Sequence, residues 1–161
     1  REPDALETAA DLQVPVCIMH MQGQPRTMQA APDYTDVTQD VSQFLSQRLD
    51  VCLDAGIVRQ NIILDPGYGF GKSLAHNYQL LAQLGHFHQF GLPILAGMSR
   101  KSMIYKALDT TPQDILGGSI ACATLAAVKG AQIIRVHDVK ETADALKIVA
   151  LTMQVHEEQG E

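Results

Sequence analysis

Four short apolar runs alternate with longer segments of helical periodicity along this chain of 161 residues. The runs occupy residues 14–19, 61–64, 93–97 and 133–137, and their branched side chains are typical of buried strands. No hairpin turn signal separates one run from the next, so the strands are predicted to run parallel and to be joined by helices. The alternation therefore predicts an α/β fold whose parallel sheet is covered on both faces.

The helical segments carry start and stop signals of their own. Asp36, with Gln39 three residues later, resembles a capping box, and Gly56 is placed to end the helix that follows it. The predicted helices span 2–12, 37–53, 74–84 with an extension to 90, 118–128, and a last one that begins after Asp138. The buried stripe predicted for this last helix consists of Val139, Ala143, Leu146, Ala150 and Met153.

The segment Asp65-Pro66-Gly67-Tyr68-Gly69-Phe70-Gly71-Lys72 directly follows the second run. Its proline and three glycines end the strand and let the backbone approach a ligand closely. An acid at the carboxyl end of a buried strand, followed by such a loop, is how many α/β enzymes present a side chain to a substrate. A tight turn in which Asp65 caps a loop amide is the alternative. The glycine spacing matches neither a P-loop nor a dinucleotide fingerprint.

Polar residues follow all four runs. They are His20, Asp65, the trio at 99–101, and Arg135 with His137. Because the carboxyl ends of parallel strands lie on one side of a sheet, we expect these groups to converge into a site. Arg135 and His137 alternate along one strand and so point to the same face, where they suit an oxyanion such as phosphate. Pairing of Arg135 with a neighbouring carboxylate is the alternative.

Composition excludes several classes of function. The net charge of −6 offers no broad basic surface, so we expect no nucleic-acid partner. No apolar run is long enough for a membrane span, and no leader segment is visible. Cys17, Cys52 and Cys122 are far apart, which favours reduced thiols and a cytoplasmic location over a disulfide framework. No cysteine cluster or zinc spacing is present, and His86 and His88 are expected on the surface.

Four strings, MHMQG, LDPGYGFGK, GMSRKS and IIRVHDV, occur in an order and at a spacing that resemble the dihydropteroate synthase family. The resemblance runs through essentially the whole chain. It implies an eight-stranded TIM barrel, of which residues 1–161 would be the carboxyl-terminal half and a single domain, with four parallel strand–helix units. It also implies a transferase of folate biosynthesis and a sulfonamide target. That family joins 4-aminobenzoate to (7,8-dihydropterin-6-yl)methyl diphosphate, giving 7,8-dihydropteroate and diphosphate.

The same resemblance assigns roles to individual residues. It implies that Asp65 and Lys101 hold the pterin and that Phe70, Lys101 and Ser102 surround the aminobenzoate. Lys101 is thereby expected to be catalytic. The full substrate-binding set expected by resemblance is Met19, Asp65, Phe70, Gly97, Lys101, Ser102, Arg135 and His137.

The departing diphosphate is expected to contact Arg135 and His137, which the resemblance makes catalytic as well. The family also uses Mg²⁺, held by an asparagine after its first strand, together with an aspartate and an asparagine of the third and fourth strands. These residues belong to the amino-terminal half, so no metal ligand is expected within residues 1–161. This segment alone is therefore expected to be inactive.

The expected partners are the two small-molecule substrates and a second copy of the chain in a homodimer. Two other functions stay open at this point. One is a non-catalytic half-barrel that binds pterin or phosphate. The other is a related pterin-dependent methyltransferase, which should lack the lysine–serine pair at Lys101 and Ser102.

Overall fold

The computed structural model of the chain describes residues 4–23 and 32–158. Its elements are α1 (Ala5–Leu12), β1 (Val16–Met19), α2 (Val37–Asp54), β2 (Ile62–Asp65), α3 (Leu74–Ala82), β3 (Leu95–Ala96), α4 (Ser102–Tyr105), α5 (Leu116–Val128), β4 (Ile133–Ile134) and α6 (Val139–Glu158). Short 3₁₀ helices cover Arg59–Asn61 and Leu84–Phe90. The predicted alternation of strands and helices is confirmed, although β3 and β4 are shorter than their apolar runs. Within the described ranges, no helix is both long and apolar enough to cross a membrane.

The four strands lie side by side in chain order and are all parallel. Val16 of β1 is opposite Ile62 of β2, and Leu95 of β3 is opposite Ile133 of β4. A parallel bridge between Leu64 and Ile94 joins the two pairs into one row. The carboxyl ends of all four strands therefore lie along one edge of the sheet, which is the arrangement that the sequence predicts.

The two faces of this sheet differ in burial. Ile62, Leu64, Ile94 and Ala96 point to the face that the helices cover, and each is 0% exposed. On the other face Ile63 and Leu95 are only partly buried, and Cys17 is exposed. The prediction that both faces are covered is thus wrong for the described residues. A continuous apolar run indicates that both faces avoid water in the working protein, but not which segment covers each.

The apolar stripe expected along α2, which also includes Phe44 and Leu53, packs against the covered face except at Leu53, which is 36% exposed. Val37, Val41, Leu45, Leu49 and Cys52 are all buried. Such a stripe recurs every three or four residues, so one side of the helix meets the core while the other faces water. This packing places the amino-terminal end of α2 near the edge at which the strands end.

The stripe predicted for α6 is wrong except at Leu146. Val139 is 67% and Met153 is 45% exposed, and Ala143 and Ala150 are exposed as well. The more buried side of the helix instead carries Thr142, Ala145, Leu146 and Val149. Because α6 has apolar residues on more than one side, its pattern alone did not determine which side packs against α5.

Helices α1 and α2 each begin after an aspartate, and only one of these two side chains caps its helix. Asp36 Oδ1 accepts hydrogen bonds from the backbone N–H groups of Thr38 and Gln39, at 2.9 Å and 3.2 Å. Asp4 at the start of α1 makes no such bond. We therefore expect Asp36→Ala to lower the free energy of unfolding by about 0.5–2 kcal/mol. Asp4→Ala should change it by less than about 0.5 kcal/mol.

Urea denaturation followed by far-ultraviolet circular dichroism measures both variants under the same conditions. Equal losses in the two proteins would contradict the assignment of the cap to Asp36.

Candidate functional site

Asp65 ends β2 at the centre of the strand-end edge and is 2% exposed. Its Oδ1 accepts a hydrogen bond from the Gly67 N–H at 2.7 Å, and its Oδ2 lies 3.6 Å from Nη2 of Arg135. Burial raises the pKa of the Asp65 carboxyl, whereas the Gly67 N–H and the charges of Arg135 and Lys101 act to lower it. The sequence left two alternatives open, a loop amide capped by Asp65 and a pairing of Arg135 with a carboxylate. Both contacts are present at Asp65.

Lys101, which follows β3, is anchored to the loop of residues 66–71 after β2, called the glycine loop below. Its Nζ donates to the carbonyl oxygen of Tyr68 at 2.6 Å and lies 4.5 Å from the centroid of the Phe70 ring. A cation over an aromatic face is attracted by the ring's quadrupole. Burial lowers the pKa of Lys101 to about 8, although the charge of Asp65 opposes this shift. The ammonium, the ring and the carboxylate thus belong to one patch.

Gly97 and Met19 complete this patch. A Cβ at Gly97 would lie 2.9 Å from Nη2 and 3.0 Å from Nε of Arg135, so the guanidinium rests directly on the glycine. Met19 is the residue of β1 directly opposite Asp65. The side chain of Arg135 is 55% exposed and so has room to move. Glycine is therefore the residue that leaves space for Arg135 beside the carboxylate.

His137 and Ser102 lie at the same edge but have other partners. The backbone N–H of His137 donates to Oγ of Ser99 at 3.2 Å, and its ring Nδ1 lies 3.1 Å from the same oxygen. No hydrogen bond of the described residues joins His137 to Arg135. Ser102 is the first residue of α4, directly after Lys101. The structure thus places both residues beside the patch and not within its contacts.

Two polar side chains that we expected at the strand-end edge bond to other groups instead. His20 is 6% exposed and lies beneath the glycine loop, because residues alternate along β1 and His20 follows Met19 on the helix-covered side. Arg100 binds Asp138 with both its Nη2 and Nε, at 2.6 Å and 3.1 Å. Its φ of 56° turns the chain away from the strand direction. The prediction that these two side chains join the site is wrong.

Sequence reasoning missed the residues that hold the glycine loop. Lys72 is 3% exposed and donates to the carbonyl oxygens of Gly67 and Phe70. Asn77 accepts from the Gly69 N–H at 2.7 Å, and the Tyr34 hydroxyl donates to the Gly71 carbonyl at 2.7 Å. The available signal was a polar residue inside an apolar helix pattern, since Asn77 precedes Leu80 and Leu81 and is buried with them.

The patch combines a buried acceptor with cations on two sides. Such a site suits a flat ligand that offers two N–H groups to the carboxylate and carries an anion near Arg135. A metal centre finds no support in the described part of the chain, which holds no group of three or more His, Cys, Asp or Glu side chains placed to bind an ion.

The sequence and the fold of the chain are similar to those of known proteins. A family model described as "Pterin binding enzyme" matches residues 1–137. The chain belongs to the pterin binding enzyme family. Among curated relatives of this family member, the dihydropteroate synthase of Escherichia coli strain K12 is 54% identical over 156 residues, which are 97% of this chain and 55% of the relative. That of Haemophilus influenzae is 59% identical over 148 residues, which are 92% and 54%.

Solved structures of dihydropteroate synthases are also similar to this chain. A Yersinia pestis enzyme in a sulfonamide drug complex has a TM-score of 0.94 and 55% identity, covering 96% of this chain and 56% of its own. The Xanthomonas albilineans enzyme with 4-aminobenzoic acid has a TM-score of 0.88 and 44% identity, with coverages of 95% and 54%. The chain thus spans about half the length of the relatives it matches.

The contact between Gly97 and Arg135 generates a prediction. A methyl group at Gly97 must displace the guanidinium from its place beside Asp65, because the two would otherwise be 2.9 Å apart. Gly97→Ala should therefore weaken the binding of inorganic diphosphate by about 1.5–3 kcal/mol, the usual contribution of a charged hydrogen bond. Isothermal titration calorimetry measures this loss.

Gly117→Ala is the matched control, since a Cβ at Gly117 meets no atom within 4 Å. Unchanged diphosphate affinity in Gly97→Ala would show that Arg135 does not hold the anion from this position.

Proposed function

We propose that residues 1–161 form the carboxyl-terminal half of a TIM barrel, a single domain with four parallel strand–helix units. Three observations support this architecture. The four strands are parallel and adjacent in chain order. In the described residues β1 forms an open edge of the sheet, and one sheet face is partly exposed. A closed barrel pairs such edges and fills its interior with the side chains of that face.

We further propose that the complete barrel is a dihydropteroate synthase. It would join 4-aminobenzoate to (7,8-dihydropterin-6-yl)methyl diphosphate and release 7,8-dihydropteroate and diphosphate. The observation that carries this proposal is the buried Asp65 carboxylate between Arg135 and Lys101, with the Phe70 ring beneath the lysine. The names of the relatives support the same reaction, and one solved relative is a complex with 4-aminobenzoic acid.

In this proposal the pterin lies flat against Gly97 and Met19. Its amino group and adjacent ring N–H donate to Asp65, whose orientation is already set by the Gly67 N–H. Lys101 donates to a carbonyl oxygen or ring nitrogen of the same ligand. A ligand that offers two donors replaces the water that a buried carboxylate has lost, and this makes the carboxylate selective for that ligand edge.

The diphosphate leaves toward Arg135 and His137. Arg135 is 55% exposed and so can contact the anion from its place beside Asp65, and His137 is oriented by Ser99. Cations placed where negative charge develops stabilise the transition state. The C–O bond to diphosphate breaks, the dihydropterin nitrogens spread the positive charge, and the aminobenzoate nitrogen forms the new C–N bond and loses a proton to solvent.

The aminobenzoate is assigned to the neighbouring surface formed by Phe70, Lys101 and Ser102. Magnesium does not fit the described residues of this chain, because they hold no group of three or more His, Cys, Asp or Glu side chains placed to bind an ion. We therefore propose that the magnesium ligands come from the amino-terminal half, and the steps above use only residues of this chain. This half alone is proposed to be inactive.

Substitution of the two leaving-group residues tests the assignment in the complete barrel. Arg135→Ala and His137→Ala should each weaken the diphosphate ester by about 1.5–3 kcal/mol, and weaken the corresponding pterin alcohol much less, because only the ester carries the anion. Arg59→Ala is the control, since Arg59 bonds the Phe90 carbonyl at the opposite end of β2. Calorimetry gives the affinities, and a diphosphate-release assay gives turnover.

Equal losses for ester and alcohol would show that these residues do not hold the leaving group. Binding of the ester without diphosphate release in the presence of 4-aminobenzoate would identify a binding module instead of an enzyme.

The pH dependence of pterin binding tests the role of Lys101. Since the pKa of Lys101 is about 8, its ammonium is charged below that pH and becomes a neutral amine above it. The affinity for 6-hydroxymethyl-7,8-dihydropterin should therefore fall as pH rises through about 8. Lys101→Met should flatten this part of the profile, whereas Lys106→Met, on the exposed side of the next turn, should retain it.

Fluorescence titrations at each pH give the affinities and so the pH profile. A pH dependence that comes from titration of the ligand itself would persist in both Lys101→Met and Lys106→Met. A wild-type profile that persists unchanged in Lys101→Met would remove Lys101 from the pterin site.

A further inference from the structure

Lys72 is almost fully buried, and its ammonium has a partner for each of its three donors. Nζ lies 2.9 Å from the Gly67 carbonyl oxygen, 3.2 Å from that of Phe70 and 2.9 Å from Nδ1 of His20. An ammonium offers three N–H donors and no acceptor, so this set of partners is complete. Because only 3% of its surface is exposed, Lys72 cannot reach a ligand at the strand-end edge.

His20 is the partner that comes from another strand end. Its ring is buried and packs edge-on against Phe44 at 4.9 Å. Burial and the charge of Lys72 lower the pKa of His20 to about 3, so the ring is neutral and its Nδ1 can accept from the lysine. The Lys72–His20 bond therefore ties the loop after β2 to the segment after β1.

The backbones of these two segments also touch. A Cβ at Gly67 would collide with the carbonyl oxygen of His20, and one at Gly71 would collide with that of Gln22. Both glycines have positive φ, at 74° and 64°. The loop is thus pressed against its neighbour along its length, and Lys72 is the side chain that bonds both sides of this contact.

The loop in turn carries the residues of the proposed site. Lys72 holds the carbonyl of Phe70, whose ring lies beneath Lys101, and Lys101 is anchored to the carbonyl of Tyr68 in the same loop. A shift of the loop would therefore move the ring and the anchor of Lys101 together. Asp65 would be affected as well, because Gly67 donates to it.

We propose that Lys72 is a positioning residue that fixes the glycine loop, residues 66–71, against the segment after β1 and so places Phe70 and Lys101 for substrate binding. The proposal rests on the proposed function for its ligands. It assigns to Lys72 no contact with substrate and no step of the reaction. Burial lowers the pKa of Lys72 to about 7, while Asp65 opposes this shift and Lys101 adds to it, so assays below pH 7 keep the ammonium charged.

The principal test is Lys72→Met in the complete barrel, with KM for the dihydropterin ester and for 4-aminobenzoate measured on folded protein. Displacement of binding groups by about 1 Å has large kinetic effects, so both KM values should rise by roughly tenfold or more. The matched control is Lys129→Met, because Lys129 also donates to a backbone carbonyl, that of Ala82, but away from the loop. The control should keep wild-type KM values.

Two substitutions of His20 separate positioning from stability. His20→Asn keeps an acceptor close to the position of Nδ1, and His20→Leu removes it, while both lose the ring contact with Phe44. Both variants should therefore have lower thermal midpoints than wild type. Only His20→Leu should show the raised KM values of Lys72→Met. If Lys72→Met does not fold, the comparison of His20→Asn with His20→Leu still tests whether the Lys72–His20 bond positions the loop.

Hydrogen exchange of peptides that cover residues 65–72 provides a readout without substrate. Exchange should be faster in Lys72→Met and His20→Leu than in wild type and Lys129→Met. Wild-type KM values in both Lys72→Met and His20→Leu, or equal KM values in His20→Asn and His20→Leu, would overturn the proposal. Failure of the wild-type barrel to bind the dihydropterin would overturn the proposed function instead, and loop exchange would then decide whether Lys72 holds the loop.

Discussion

The burial of one carboxylate, Asp65, organises the strand-end edge of this protein. A buried charge is costly unless it is paired and hydrogen-bonded, and three strand ends contribute to meeting this requirement. The loop after β2 supplies the Gly67 N–H, the residues after β4 supply Arg135, and those after β3 supply the nearby charge of Lys101. These groups partly offset the cost of burying the charge of Asp65, and their convergence supports the proposed ligand site at this edge.

The glycine loop has to satisfy its own backbone before it can serve such a site. Buried carbonyl and N–H groups outside regular structure need partners, and here side chains provide them. Lys72 bonds two carbonyls, Asn77 accepts from Gly69, and Tyr34 bonds Gly71. Four side-chain hydrogen bonds thus meet the backbone of a loop that lacks the repeating bonds of a helix or strand. Within this loop the ring of Phe70 lies against Lys101.

The two faces of the sheet are buried to different extents. Helices bury Ile62, Leu64 and Ile94 completely, whereas on the opposite face Ile63 is partly buried and Cys17 is exposed. In a TIM barrel the interior of the barrel buries this second face. A chain that spans about half of its relatives therefore carries one finished hydrophobic layer and one that the proposed amino-terminal half completes.

Local signals in the sequence determined the alternation of strands and helices, the Asp36 cap and the position of Asp65 at a strand end. These features depend on residues within one or two turns of each other, so a single stretch contains the information for them. The convergence of Asp65 with Arg135 also followed from the sequence, since parallel strands end on one side. Only the tertiary structure decided that His20 turns inward to meet Lys72, that Arg100 binds Asp138, and which side of α6 is buried. Those outcomes join residues tens of positions apart, and their physical cause is the packing of one element against another, which no local pattern records.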